Sequence, residues 1–126
     1  METVTTSNAP AAIGPYAQAT VSAGFLFCSG QLGIDPATGA LVADDTAAQA
    51  EQLLRNLRAI LVAKSLTMAD VVKTTIFLVS LADFKTVNEI YARAFNGHKP
   101  ARSTAQVAAL PLGAKIEIEF VAEVKK

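Results

Sequence analysis

One cysteine, one histidine and no tryptophan leave this 126-residue chain short of the usual catalytic tools. Cys28 and His98 cannot assemble a zinc site, so a metal would need carboxylates alone, and neither a metal nor a cofactor is expected. His98 lies in a Gly/Pro loop, Asn96-Gly97-His98-Lys99-Pro100, and reads as a solvated residue without a Ser-His-Asp partner set. No G-x-G-x-x-G follows a strand, and there is no phosphate-binding P-loop. Cys28 sits in an apolar run with no cation beside it, which makes it a buried structural thiol in expectation. A lone cysteine also excludes an internal disulfide and suits a reducing compartment. A net charge is missing as well. Eleven basic and eleven acidic residues cancel, so no overall field draws the chain to nucleic acid or anionic lipid. No apolar run approaches the length of a membrane span. Residues Met1 to Ser7 lack a basic segment ahead of an apolar one, so no signal peptide is expected. The chain reads as cytoplasmic, with neither a nucleic-acid nor a membrane partner.

What is present is apolar: 52% hydrophobic residues against 17% charged, in a length that suits a single domain over residues 1–126. Such an excess points to surface buried between subunits. Residues 8–15 are turn-rich and read as an ordered surface loop. Tyr16 to Val21 and Phe25 to Gly33 read as strands around the turn Ser22-Ala23-Gly24, and Ala40-Leu41-Val42 as a brief third. Thr46-Ala47-Ala48-Gln49 has a capping-box pattern, followed by Ala50, Leu53, Leu54, Leu57, Ile60 and Leu61 at helical spacing. The β-branched run Val71 to Val79 is a central strand in expectation. A second helix opens at Ser80 to Asp83, buries a stripe of Phe84, Val87, Tyr91 and Phe95 with Asn88 beside it, and stops at Asn96 to Pro100. The last stretch, Pro100 to Val121, reads as two strands joined as a hairpin through Leu110 to Ala114. The expected order is β-β-β-α-β-α-β-β: an α+β mixed sheet with two helices on one face.

Two residues of this last stretch carry chemistry. Arg102 stands at the entrance of its first strand; an arginine fork can hold a small carboxylate through two parallel bonds. Glu117 lies in its second strand, and a carboxylate can position or activate a water. Alternation alone puts Glu117 and Glu119 on a solvated face, and an arginine after proline is ordinarily a surface residue. If Ala109 pairs with Lys115, Glu117 faces Val107, leaving Arg102 roughly 16 Å away along the strand. One hairpin cannot bring both groups onto one small substrate, so a shared site would take its second group from a neighbouring subunit.

The chain resembles the Rid family, the reactive intermediate deaminases, also called the YjgF-type or L-PSP family. The markers are Asn8-Ala9-Pro10 through Ile13-Gly14-Pro15-Tyr16, Ser29-Gly30-Gln31, Val72-Lys73-Thr74-Thr75, Pro100-Ala101-Arg102-Ser103 and Ile116-Glu117-Ile118-Glu119. They cover nearly the whole chain. The resemblance implies a chorismate-mutase-like fold and a homotrimer with sites in the clefts between subunits. It implies hydrolysis of 2-imino acids and their enamines, such as 2-iminobutanoate and 2-iminopropanoate, to 2-oxo acids and ammonium. Arg102 would hold the substrate carboxylate and Glu117 position the water. Tyr16, Ser29, Gly30, Asn88 and Thr104 would line the pocket. Many relatives carry cysteine where this chain has Thr104, which argues against a covalent thiol mechanism here. Two other readings stand beside this one: a non-catalytic trimer binding small 2-oxo or amino acids, and an RNA-cleaving protein, against which the neutral charge and missing tryptophan argue.

Overall fold

The apolar stripe of the first helix anchors the molecule. In a computed structural model that describes residues 1–125, helix α1 (Thr46–Val62) buries Leu53, Leu57, Ile60 and Leu61 against a sheet. Its cap lies one residue earlier than the expected box. The carboxylate of Asp45 accepts from the Ala48 N–H at 2.9 Å. That releases Thr46 and Gln49 for long-range bonds. Thr46 Oγ1 donates to Asp83 Oδ2 at 2.7 Å, and Gln49 joins Ala43 O to the Lys115 N–H, each at 2.8 Å.

The sheet has six strands: β1 (Glu2–Val4), β2 (Ala19–Ser22), β3 (Phe25–Gln31), β4 (Val71–Leu78), β5 (Ala101–Gln106) and β6 (Ile116–Glu123). Their spatial order is β1-β2-β3-β6-β4-β5, and among the described residues only β4 and β5 run parallel. A 3₁₀ turn at Leu81–Asp83, capped by Ser80, leads into helix α2 (Phe84–Phe95), which ends on Asn96 in the left-handed region at φ 46°. Strand β4, α2 and β5 thus form a parallel crossover unit. Both helices pack on one face of the sheet, over a core that includes Leu26, Ile76, Leu78, Ile116 and Ile118.

The α+β class, the mixed sheet and the two helices on one face are as expected, but three details differ. The third strand is not at Ala40 to Val42, where only a single bridge joins Ile34 and Leu41. The missing strand is β1, which pairs with β2 at the other end of the sheet. The terminal hairpin does not exist: β5 and β6 flank β4, and Arg102 aligns with Thr74 while Glu117 aligns with Phe77. His98 is not simply solvated, since its Nε2 lies 2.7 Å from Val71 O and ties the end of α2 to the start of β4. Among the described residues, no helix is long and apolar enough to cross a membrane.

Candidate functional site

The residues expected to form one pocket fall into two clefts. Tyr16, Ser29, Gly30 and Glu117 line the first, of about 580 Å³. Arg102 and Asn88 line the second, of about 510 Å³. Thr104 follows two positions after Arg102 on β5, half-buried on the same sheet face, opposite Ile76.

The first cleft is built by a break in a strand ladder. Strand β3 pairs Cys28 with Phe120 and Gln31 with Ile118, so Ser29 and Gly30 together stand opposite the single residue Glu119. Such a bulge bends the strand and re-aims its groups. Ser29 Oγ donates to Ala17 O at 2.6 Å, which fixes the hydroxyl beside the segment carrying Tyr16. Gly30 is required by close approach: a Cβ there would stand 2.6 Å from Cδ of Glu117. Glu117 is half-buried. Desolvation, and then the neighbouring charge of Glu119, hold its carboxyl above the usual carboxylate range. A carboxylate raised in this way is a better proton acceptor than an exposed one.

Sequence reasoning missed Gln18, which closes the back of this cleft. It is 4% exposed, and its Nε2 donates to Thr6 O, Ala9 O and Pro10 O while its Oε1 accepts the Thr6 N–H at 2.7 Å. It therefore holds the turn-rich segment whose Pro10, Ala11 and Ile13 form one wall. A glutamine within an alternating strand gives no sign of such a role. The rim is apolar, with Ile13, Tyr16 and Leu112 all exposed.

The second cleft presents a cation. Arg102 Nη1 donates to Asn88 Oδ1 at 2.8 Å. Its Cζ lies 5.4 Å from the ring centroid of Phe84 and 5.1 Å from that of Tyr91. Phe84, Asn88 and Tyr91 fall at i, i+4 and i+7 of α2, one face of the helix, so a single stripe supports the guanidinium.

The two clefts cannot merge within one chain. Thr74, the partner of Arg102, is fully buried beneath α2, so Arg102 projects from the helix-covered face. Glu117 lies between the buried Ile116 and Ile118 and projects from the opposite face. Their backbones are about 14 Å apart, three residues along and two strands across at the usual spacings. Cys28 is buried, and desolvation pushes its thiol far up, as expected of a structural residue. Among the described residues, no three His, Cys, Asp or Glu side chains cluster as metal ligands would.

Comparison with known proteins adds a lineage. Residues 6–124 match the family model described as Endoribonuclease L-PSP. The chain is 56% identical over 121 residues to Reactive Intermediate Deaminase A, chloroplastic, of Arabidopsis thaliana, covering 96% of this chain and 65% of that protein. It is 50% identical over 124 residues to the 2-iminobutanoate/2-iminopropanoate deaminase of Salmonella typhimurium, with 96% of each covered. The crystal structure of E. coli TdcF with bound serine superposes with a TM-score of 0.94 at 41% identity, covering 99% of this chain and 100% of that one.

Proposed function

This chain belongs to the Endoribonuclease L-PSP family, which includes the reactive intermediate deaminases, and from that premise we propose that it hydrolyses 2-imino acids to 2-oxo acids and ammonium. The observation that carries the proposal is 50% identity, over 96% of each chain, with a protein named for 2-iminobutanoate and 2-iminopropanoate.

The chemistry asks little of the protein. A protonated imine, R–C(=NH₂⁺)–COO⁻, is already electrophilic at C2. Water adds there, its proton passes to the nitrogen, and the C–N bond breaks to give R–CO–COO⁻ and NH₄⁺. In our reading Arg102 clamps the carboxylate through two parallel bonds, and Glu117 accepts the proton of the attacking water and returns it to the departing amine. Orientation and charge complementarity supply the rate. Tyr16, Ser29 and Gly30 line the water side of the pocket, and Asn88 and Thr104 flank the clamp. No step needs a metal or a cofactor.

The site is then completed by assembly. Arg102 and Glu117 share a substrate when the Arg102 face of one subunit meets the Glu117 face of the next, and a closed homotrimer does this three times over. Two surfaces support the reading. The sheet face away from the helices carries exposed Phe25 and Phe27, and edge strand β5 is exposed along nearly all its length. The cytoplasm is the compartment we assign, on the lone buried thiol; the Arabidopsis relative is named chloroplastic.

A second reading has one observation in its favour. TdcF was crystallised with serine, an amino acid and not an imine, which suits a trimer that binds small acids without turnover. Adding the protein to a threonine dehydratase with semicarbazide present separates the two. A deaminase speeds 2-oxobutanoate formation and lowers the trapped imine, and Arg102→Ala abolishes the effect. No change with the native chain leaves the binding trimer.

A further inference from the structure

Beneath the guanidinium lies a buried bond that the mechanism above does not use. Tyr91 Oη and Thr74 Oγ1 are 2.7 Å apart, with Tyr91 7% and Thr74 0% exposed. Thr74 is also the residue on β4 that aligns with Arg102 in the parallel ladder. The hydroxyl pair therefore links the aromatic ring under the guanidinium to the same rung of the sheet from which Arg102 projects. The ring also packs against Phe95, with centroids 4.5 Å apart and the planes tilted by 36°.

We propose that Tyr91, locked by Thr74, is the positioning residue that sets the plane of the Arg102 guanidinium for its carboxylate ligand. The inference rests on the reading of Arg102 as the carboxylate clamp. A fork binds a carboxylate through two bonds only when it is presented in plane, so a tilted guanidinium keeps its charge but loses the second bond. Asn88 fixes one edge of the fork from the side, at 2.8 Å. Phe84 and Tyr91 fix its face from below, and only Tyr91 has a hydroxyl with which to resist rotation and sliding. Threonine suits the rung: its branched carbon fits a strand, and its hydroxyl pairs with the tyrosine where a valine would leave that phenol unpaired.

Tyr91→Phe keeps the ring and removes the lock, Thr74→Val removes it from the other side, and Thr74→Ser retains it. Steady-state hydrolysis of 2-iminobutanoate and inhibition by 2-oxobutanoate are measured for each intact oligomer beside native protein and Arg102→Ala. We expect Tyr91→Phe and Thr74→Val to raise KM and the 2-oxobutanoate inhibition constant roughly tenfold, the scale of one net hydrogen bond, with a smaller change in kcat. Thr74→Ser should stay near native, and the double variant Tyr91→Phe/Thr74→Val should lose no more than either single. A fall in melting temperature with KM and inhibition unchanged makes the bond purely structural and overturns the proposal. If Arg102→Ala is itself near native, it is the clamp that fails; an impaired Arg102→Ala beside native-like Tyr91→Phe and Thr74→Val rejects the positioning role alone.

Discussion

Arg102 and Glu117 leave opposite faces of one sheet, separated by strand β4. Arg102 aligns with Thr74 on the face that α2 covers, and Glu117 aligns with Phe77 on the uncovered face. No side-chain rotation can bring the two together, because the sheet itself lies between them. Any chemistry that uses both groups on one small molecule is chemistry between chains.

The clamp makes the first prediction. A lysine at position 102 keeps the charge but presents a point ammonium in place of the planar fork, and it loses the stacked seat over Phe84 and Tyr91. Arg102→Lys should therefore be nearly as damaging as Arg102→Ala, each lowering kcat/KM for 2-iminobutanoate by about tenfold or more. A lysine variant with near-native kcat/KM would remove the bidentate clamp from the mechanism.

The reason the sequence misplaces this geometry is specific. Leu110 to Ala114, with Pro111 and Gly113, has the composition of a hairpin turn, and β5 and β6 are the strands on either side of it. Sequence adjacency then suggests pairing. The competing signal was also present: strand, helix and strand over Val71–Leu78, Phe84–Phe95 and Ala101–Gln106, the pattern of a parallel crossover that puts β5 beside β4. The α1 stripe was legible because Ala50, Leu53, Leu54, Leu57, Ile60 and Leu61, the positions at helical spacing, are all buried. Strand β1 was not, since three residues show no readable alternation and its partner β2 lies beyond a long loop. Of the candidate site, Arg102 and Glu117 stood out by chemistry; Gln18 did not, because its role depends on carbonyls that only the folded loop brings to it.

On the proposed mechanism, Glu117 couples activity to stability with opposite signs. Its carboxyl is held above the ordinary range, so the folded chain binds that proton more tightly than the unfolded chain does. Stability from this group is therefore greatest below the ordinary glutamate range and falls as pH rises through the raised value. Glu117→Gln removes the ionisation. The variant should hydrolyse 2-iminobutanoate far more slowly while still binding 2-oxobutanoate. It should melt higher than the native protein at pH 7, and that advantage should shrink as the pH falls through the raised value and be gone below the ordinary glutamate range. The native rate should fall on acidification at a higher pH than an exposed glutamate would give. Unchanged hydrolysis by Glu117→Gln excludes the water-positioning role.

Two glycines three positions apart should fail in different ways. A Cβ at Gly30 meets the carboxylate of Glu117, the far end of a flexible side chain, at 2.6 Å. At Gly33 it meets the backbone of Gln49 on α1, with Cα at 2.5 Å and O at 2.6 Å. Gly30→Ala should displace the carboxylate and cut turnover while leaving the melting temperature nearly native. Gly33→Ala should push α1 off the sheet and cost about 1–3 kcal/mol of stability, the usual range for overpacking. Chemical denaturation and turnover on both variants check this. Equal losses of stability would mean that Gly30 serves packing and not the carboxylate.

Mixing defective subunits tests the divided site most directly. Arg102→Ala chains lack the clamp but keep Glu117, and Glu117→Gln chains lack the base but keep Arg102. If each site takes its arginine from one subunit and its glutamate from the next, oligomers reassembled from equal amounts contain some sites with both native groups. Random assembly places a competent arginine at half of the positions and a competent glutamate opposite it half of the time, so about a quarter of native activity should return in a closed ring. Neither parent oligomer has a complete site, and simply adding the two without exchange should restore nothing. A site confined to one chain predicts no recovery at any mixing ratio. Recovery that follows the product of the two fractions, greatest at equal amounts, would place Arg102 and Glu117 on either side of a subunit boundary.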